Sequence, residues 1–416
     1  MADVRPFKAY RPTKDLVEQI ASLPYDVYSR QEAYELTRGD EHSFLRIDRP
    51  ETQFAPDYDM YSDEVYEKAK EMLENQIQLG EFIVEDANSY YIYAQTMDGR
   101  TQTGIVALSS VQDYLDGVIK KHENTRADKE ADRIRHVDIC NAQTGPIFLA
   151  YRKSEIISSI IEKVKTEAPL YDFVNTNVRQ QIWVISDTQD ISDIENAFND
   201  MSAIYIADGH HRCASACKVA LNRRKDINIP EDSEAEHFLS VLFPDEELMI
   251  MDYNRVLKSL NGLSSAEFIE KLSEVYTVEL IESPDRDKYS NVKPTSKGEC
   301  ALYIDKQWYS MKYDLTKLTG DPVDDLDVAI LQDKILSPVL GIEDPKTDKR
   351  IDFVGGIRGL KELERRCESD CLAGIAMYPT DIHELFDVAD AGMLMPPKST
   401  WFEPKLLSGI FIHKLG

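Results

Sequence analysis

The stretch "IYIADGHHRCASACKVA", residues 204–220, decides the fold. It reads as an apolar strand, a hinge at Asp208-Gly209, two histidines and an arginine, and then a helix. A helix beginning there leaves the amides of its first turn free and carries partial positive charge, so an anion sits well at its mouth. Gly209 lets a ligand approach the backbone with no Cβ in the way. Arg212 offers a planar fork suited to phosphate oxygens. His210 and His211 each bring an N–H, pointing about 100° apart. Asp208, at the strand end, holds a histidine tautomer or coordinates Mg²⁺. Two other readings stand beside this one. The first is an N-cap aspartate followed by polar surface residues. The second is a zinc site, which the adjacent spacing of the histidines disfavours, since helical zinc pairs sit at i,i+4.

Outward from this corner, strands and helices alternate, which predicts α/β or mixed α+β layers. Ser29 with Glu32 has the spacing of a capping box, with Gly39 as the stop. Val65, Ala69, Met72, Leu73 and Ile77 form one face of a helix that Gly80 closes. Asp98-Gly99 between two apolar runs predicts a hairpin, and "CALYIDKQWYSMKYD" (300–314) a second. "DFVGGIRGL" (352–360) lacks the spacing of a nucleotide-binding glycine loop and reads as a tight turn with close packing. With 416 residues, two or three domains are expected. The boundaries fall at 1–85 (mainly helical), 86–260 (the core bearing residues 208–212) and 261–416 (α/β, its tail packing back near the site).

The net charge is -27, from 75 acidic and 48 basic residues. Such a field repels nucleic acid and anionic membranes, yet allows a small anionic metabolite in a lined pocket. No apolar run is long enough to span a bilayer and the N-terminus lacks an apolar signal stretch, so a cytoplasmic protein is expected. The six cysteines include no C-x-x-C pair and read as buried thiols.

"IADGHHRCASA" resembles the phosphate-binding loop of the ParB/sulfiredoxin fold, and its "DGHHR" form resembles the free serine kinases of that superfamily. In those kinases an upstream "HE" motif supplies a catalytic glutamate, and here "KKHENT" (120–125) stands upstream in the same order. The resemblance implies that the loop holds nucleotide phosphates and that Glu123 is the catalytic glutamate. Over nearly its full length the chain also resembles the DUF1015 family of bacterial proteins, through "VRPFKAYRP", "LPYDV", "HENT", "ADGHHR", "YNRV" and "MPPKSTWFEPKLLSGIFIH". Genes of that family often lie beside those for serine biosynthesis from phosphoglycerate, which points to serine or phosphoserine as the small molecule.

On these grounds the chain is expected to be a phosphoryl-transfer enzyme acting on serine or phosphoserine, as kinase, phosphotransferase or phosphatase. Gly209, His210, His211 and Arg212 bind the phosphates, and Glu123 acts as general base, with His122 orienting it and His211 assisting. Thr125, Lys129 and Arg133 neutralise transferred charge. Mg²⁺ and a nucleotide, ATP or ADP, are the expected cofactors, with Asp208 as the metal ligand. Asp26 in "LPYDV", Thr125, and Lys398 with Ser399 in the proline-flanked "MPPKSTWFEPK" are expected to line the substrate pocket. Lys405 lies in the same segment. The alternatives are a nucleotide-sensing regulatory protein of ParB-like type and a metal-dependent hydrolase using His210 and His211.

Overall fold

The computed structural model describes residues 1–125, 127–225 and 233–416, apart from the side chains of Asp128 and Lys129. It is a mixed α/β structure that divides into two compact units. Unit 1 comprises residues 1–248 and 404–416, and unit 2 comprises residues 249–403.

The local signals in the sequence produce the elements of unit 1. Helix α1 (Arg30–Thr37) starts at a complete capping box: Ser29 Oγ accepts from Glu32 N–H, and Glu32 Oε2 accepts from Ser29 N–H at 2.8 Å. Helix α2 (Asp63–Gln78) buries Val65, Ala69 and Leu73. Among the described residues, a nine-stranded mixed sheet forms the unit's centre. Its strands are β1 (Val4–Arg5), β2 (Tyr90–Met97), β3 (Arg100–Ser110), β4 (Ile119–Lys120), β5 (Ile147–Tyr151), β6 (Tyr171–Asn175), β7 (Val178–Ile185), β8 (Ile204–Asp208) and β9 (His237–Pro244). Their order is β4-β8-β5-β9-β3-β2-β7-β6, with β1 beside β3. The β2–β3 hairpin turns at Asp98 and Gly99, both at positive φ. After α2 come a short helix over Val111–Asp116 and then α3 (Ala127–Cys140), α4 (Glu155–Val164), α5 (Thr188–Asn199) and α6 (His210–Arg223). Ile147, Leu149, Ile160, Phe198, Ile206, Cys213 and Leu242 belong to the main core.

The N-terminal segment read as mainly helical also contains a two-stranded ribbon, Tyr10–Pro12 with Phe82–Val84. It shares a core with later elements: Ile20, Phe44 and Leu73 pack with Cys140, Ala142 and Ile412. The second difference lies at the 260/261 boundary. Strand β10 (Tyr253–Leu257) pairs wholly within unit 2, so the division falls ahead of it.

Unit 2 is an antiparallel sheet of β10, β11 (Tyr276–Leu280), β12 (Glu299–Ile304), β13 (Gln307–Tyr313), β14 (Ile351–Gly355) and β15 (Ala373–Met377), in the order β11-β13-β12-β15-β10-β14. Helix α7 (Leu360–Ser369) covers one face through Leu360 and Leu363. The glycine turn is a packing device, as its spacing suggested. A Cβ on Gly355 would lie 2.8 Å from the indole of Trp401.

The tail, residues 404–416, is woven through unit 1. Ser408 exchanges backbone hydrogen bonds with Ser22, and Ile412 with Tyr10. Strand β16 (His413–Lys414) pairs with Ala142–Gln143. Gly409 adopts φ +81°, and a Cβ there would stand 2.5 Å from Phe44 Cγ. Five of the six thiols are buried and none is in a disulfide. Among the described residues, no helix is long and apolar enough to cross a membrane.

Candidate functional site

Strands β4 and β8 are parallel neighbours, Ile119 against Ile204 and Lys120 against Tyr205. Their C-terminal ends therefore open on the same edge of the sheet, where α/β proteins place their ligands. From β4 the chain runs into Lys121, His122 and Glu123; from β8 it runs into Gly209 and α6. The two motifs that the sequence holds 80-odd positions apart thus emerge side by side. His122 N–H points to His210 Nε2 at 3.5 Å, and the two imidazoles meet edge to face with centroids 4.5 Å apart. A register shift in the β8–β5 pairing between Ile206 and Asp208 re-aims the strand end.

Asp208 closes the turn. Its Oδ1 accepts from Gly209 N–H at 2.7 Å, and its Oδ2 accepts from the ammonium of Lys405 at 2.8 Å. Burial alone would raise this carboxyl's pKa. Lys405, Arg212 and the Gly209 amide outweigh that and hold it well below the usual carboxylate range. Gly209 has φ +89°, a conformation that favours glycine, and α6 begins behind it. Cys213 N–H is the first to bond back, to Gly209 O at 2.9 Å. The amides of His210, His211 and Arg212 lie ahead of it in the turn for which the helix supplies no partner.

The paired histidines split in direction. His210 is buried against His122, while His211 is partly exposed. Burial and the neighbouring His122 push His210 well below the ordinary histidine range, and burial lowers His122 to about 4. Both rings are neutral at pH 7. His210 Nε2 accepts, so its proton rests on Nδ1. Among the described residues, His122 Nδ1 has no partner.

Arg212 bends back over Gly209. A Cβ on that glycine would lie 3.2 Å from both Nε and Nη2 of the guanidinium, while Nη1 donates to Pro146 O at 2.6 Å. The glycine therefore makes room for the arginine as well as for a ligand. Among the described residues, no carboxylate pairs with Arg212 at salt-bridge distance. Its inner side faces a small pocket of about 30 Å³, lined by polar groups of Tyr25, Asp48, Arg133 and Ser408 and by apolar Ile147 and Leu239, which is room for water rather than for a metabolite.

The remaining expected residues are dispersed. Glu123 is partly buried, three residues past the end of β4 and adjacent to His122, which packs on His210. Thr125 and Arg133 are engaged in structure: Thr125 Oγ1 donates to Glu130 Oε2 at 2.8 Å, and Arg133 pairs with Asp132 and stacks 4.0 Å over Tyr25. The Lys129 side chain lies outside the described residues. Asp26 is exposed, next to Tyr25, whose phenol burial raises to about 12. Lys398 and Ser399 belong to unit 2 and have contacts of their own. Lys398 Nζ sits 5.5 Å over the Tyr253 ring, and Ser399 Oγ donates to Pro396 O at 2.6 Å. Sequence reasoning missed Tyr25 and the role of Lys405. The only signal for the lysine was a cation three residues past a conspicuous Trp-Phe pair, with nothing to tie it to an aspartate 197 positions earlier.

Asp208 does not fit the role of Mg²⁺ ligand. Both of its oxygens are engaged, and an ammonium already balances its charge. Among the described residues, no group of three or more His, Cys, Asp or Glu could hold a metal ion.

A family model described as "Protein of unknown function (DUF1015)" matches residues 4–329. No curated protein sequence matches the chain. Among solved structures, a free serine kinase mutant in complex with AMP is 15% identical at a TM-score of 0.34, covering 72% of this chain and 86% of that one. A conserved hypothetical protein from Pyrococcus furiosus is 15% identical at 0.33, covering 73% and 94%. SbnI with a C-terminal truncation, from Staphylococcus aureus, is 10% identical at 0.36, covering 73% and 85%. Likeness at these TM-scores carries no argument about chemistry.

Proposed function

The chain belongs to the DUF1015 family, proteins of unknown function, and from that premise we propose that it transfers a phosphoryl group to or from a small hydroxy amino acid of the serine type. The observation that carries this reading is the meeting of two strand ends. One delivers the segment of His122 and Glu123, and the other delivers a helix mouth whose arginine bonds Pro146 O and has no carboxylate at salt-bridge distance among the described residues.

The residues divide the work as follows. The amides of His210, His211 and Arg212, with the guanidinium, hold phosphate oxygens and absorb their charge. His211, on the open side, donates to the same group. Glu123 accepts the serine hydroxyl proton as that oxygen bonds to phosphorus and the bond to the leaving phosphate oxygen breaks. In the reverse direction the glutamic acid returns the proton. His122, neutral and buried, fixes the chain that carries Glu123 by packing on His210. The phosphoryl donor is a nucleotide or another phosphate ester. Asp26, Lys398 and Ser399 remain proposed contacts to the amino acid.

The test is a thermal-shift screen with ATP, ADP, pyrophosphate, L-serine and phosphoserine, with and without Mg²⁺, followed by phosphorus NMR of the mixtures that bind. A ligand at 100 times its Kd stabilises by about 2.7 kcal/mol, enough to be read as a shift. Phosphoserine formed or consumed by the protein, and lost in Arg212→Met, supports the reading. Binding of ATP or ADP without transfer would make the protein a nucleotide sensor. No shift and no turnover with any of these compounds removes the proposal.

A further inference from the structure

We propose that Lys405 is a positioning residue. Its ammonium, rather than a divalent cation, is the resident counter-charge of Asp208, and through Asp208 it sets the Gly209 turn that shapes the anion site. The functional half of this proposal rests on the phosphoryl-transfer reading; the structural half stands apart from it.

The geometry is a relay of hydrogen bonds. Lys405 Nζ donates to Asp208 Oδ2 at 2.8 Å, and Asp208 Oδ1 accepts from Gly209 N–H at 2.7 Å. One carboxylate thus ties the tail to the turn. An ordinary surface lysine would hold such a pair weakly, because its long side chain must be ordered and water competes. Here the lysine's backbone is fixed first. Its carbonyl accepts from Gln95 Nε2 at 2.9 Å, and Gln95 is fully buried. Gln95 uses its second N–H on Gln180 Oε1 at 3.2 Å, and its own Oε1 accepts from Gln102 Nε2 at 3.1 Å. Tyr93 OH donates to Gln180 Oε1 at 2.7 Å.

Three glutamines and a tyrosine on β2, β3 and β7 are therefore buried together at 1% exposure or less. Burying amides is costly unless each finds a partner, and apolar side chains would fill that space more cheaply. What the network supplies is a fixed donor aimed at a passing main-chain carbonyl. Three residues further along, Ser408 N–H bonds to Ser22 O at 2.8 Å, so the tail is held at the lysine and again just beyond it. The sheet thus presents the ammonium to Asp208 from a rigid strap, and only about a fifth of the Lys405 side chain is exposed. This is the place where a bound metal was expected, and the chain fills it with one of its own cations.

The experiment compares Lys405→Met, Lys405→Arg and Gln95→Leu with the full-length protein. Hydrogen exchange of the peptide covering Asp208–Cys213 is measured without ligand. Calorimetry with pyrophosphate and with MgCl₂ alone is run alongside. Lys405→Met is expected to speed exchange in that peptide about tenfold, with β2 and β7 unchanged, and to weaken pyrophosphate about tenfold. Lys405→Arg restores most of both. Gln95→Leu keeps the lysine and gives the same direction with a smaller effect, so it decides the matter if Lys405→Met does not fold. Unchanged exchange at the turn in both variants overturns the proposal. So does binding of Mg²⁺ alone to the wild type that Asp208→Asn abolishes. If the wild type ignores pyrophosphate, the functional half of this proposal falls, and the exchange result still decides the structural role of Lys405.

Discussion

Replacing Gly209 by alanine tests the anatomy of the turn most sharply. The substitution meets two separate obstacles. The first is conformational. At φ +89° an L-residue costs about 1–2 kcal/mol, offset by about 0.4–1 kcal/mol because alanine has less freedom to lose in the unfolded chain. The second is steric. The new methyl would lie 3.2 Å from Nε and Nη2 of Arg212, so the guanidinium must withdraw. In doing so it gives up its 2.6 Å bond to Pro146 O, a loss of about 0.5–1.5 kcal/mol. Together these predict a destabilisation of about 1–3 kcal/mol, a fall in Tm of roughly 3–9 °C for a unit of this size. Urea unfolding of Gly209→Ala, Arg212→Met and the double variant separates the parts. In the Arg212→Met background only the conformational part remains, so the cost of the alanine falls to about 1 kcal/mol or less. Pyrophosphate affinity should fall more than tenfold in the single variant, because the arginine no longer sits at the helix mouth. An unchanged midpoint, or an equal cost in both backgrounds, refutes the account of Arg212 packed over Gly209.

Three further outcomes are expected. Glu123→Gln should lower the rate of phosphoryl transfer at least about a hundredfold while pyrophosphate affinity stays within about threefold, and an unaltered rate removes Glu123 from the role of base. His122 is held at about 4 when folded and rises to its ordinary value of about 6.5 when unfolded. The unfolded chain then takes up more protons, so this contribution is complete above pH 6.5 and is lost as the pH falls towards 4. It amounts to about 3 kcal/mol at most. Urea midpoints between pH 7.5 and 4.5 should therefore fall less steeply in His122→Gln, and an identical slope contradicts the burial of a neutral ring. Gly409→Ala places a methyl 2.5 Å from Phe44 Cγ at φ +81°, and should cost at least about 3 kcal/mol and expose the tail to limited proteolysis.

Local chemistry was legible in the sequence because it is decided by neighbours. The Ser29–Glu32 box, the Asp98-Gly99 hairpin and the strand-to-helix corner at Gly209 each depend on residues a few positions apart. The link between the HENT segment and that corner was legible only through resemblance; in the structure, parallel pairing of β4 with β8 brings the segment that carries His122 to His210. What escaped was long-range. Nothing in the chain's periodicity reports that residues 404–416 return to the first unit, that Gln95 holds a carbonyl 310 positions away, or that Lys405 meets Asp208. Asp208 reads as a magnesium ligand in the sequence for the same reason, since a carboxylate at a strand end looks available until its distant partner is known.

The discontinuity of unit 1 has a consequence for biogenesis. A ribosome delivers all of unit 2 between residue 248 and the segment that supplies Ile412 to the first core. At ordinary elongation rates that interval lasts roughly ten to thirty seconds. Throughout it, the nascent sheet carries an unfilled seam beside Phe44 and Ala142, so the emerging polypeptide offers chaperones a sticky cleft that the final residues later zip shut.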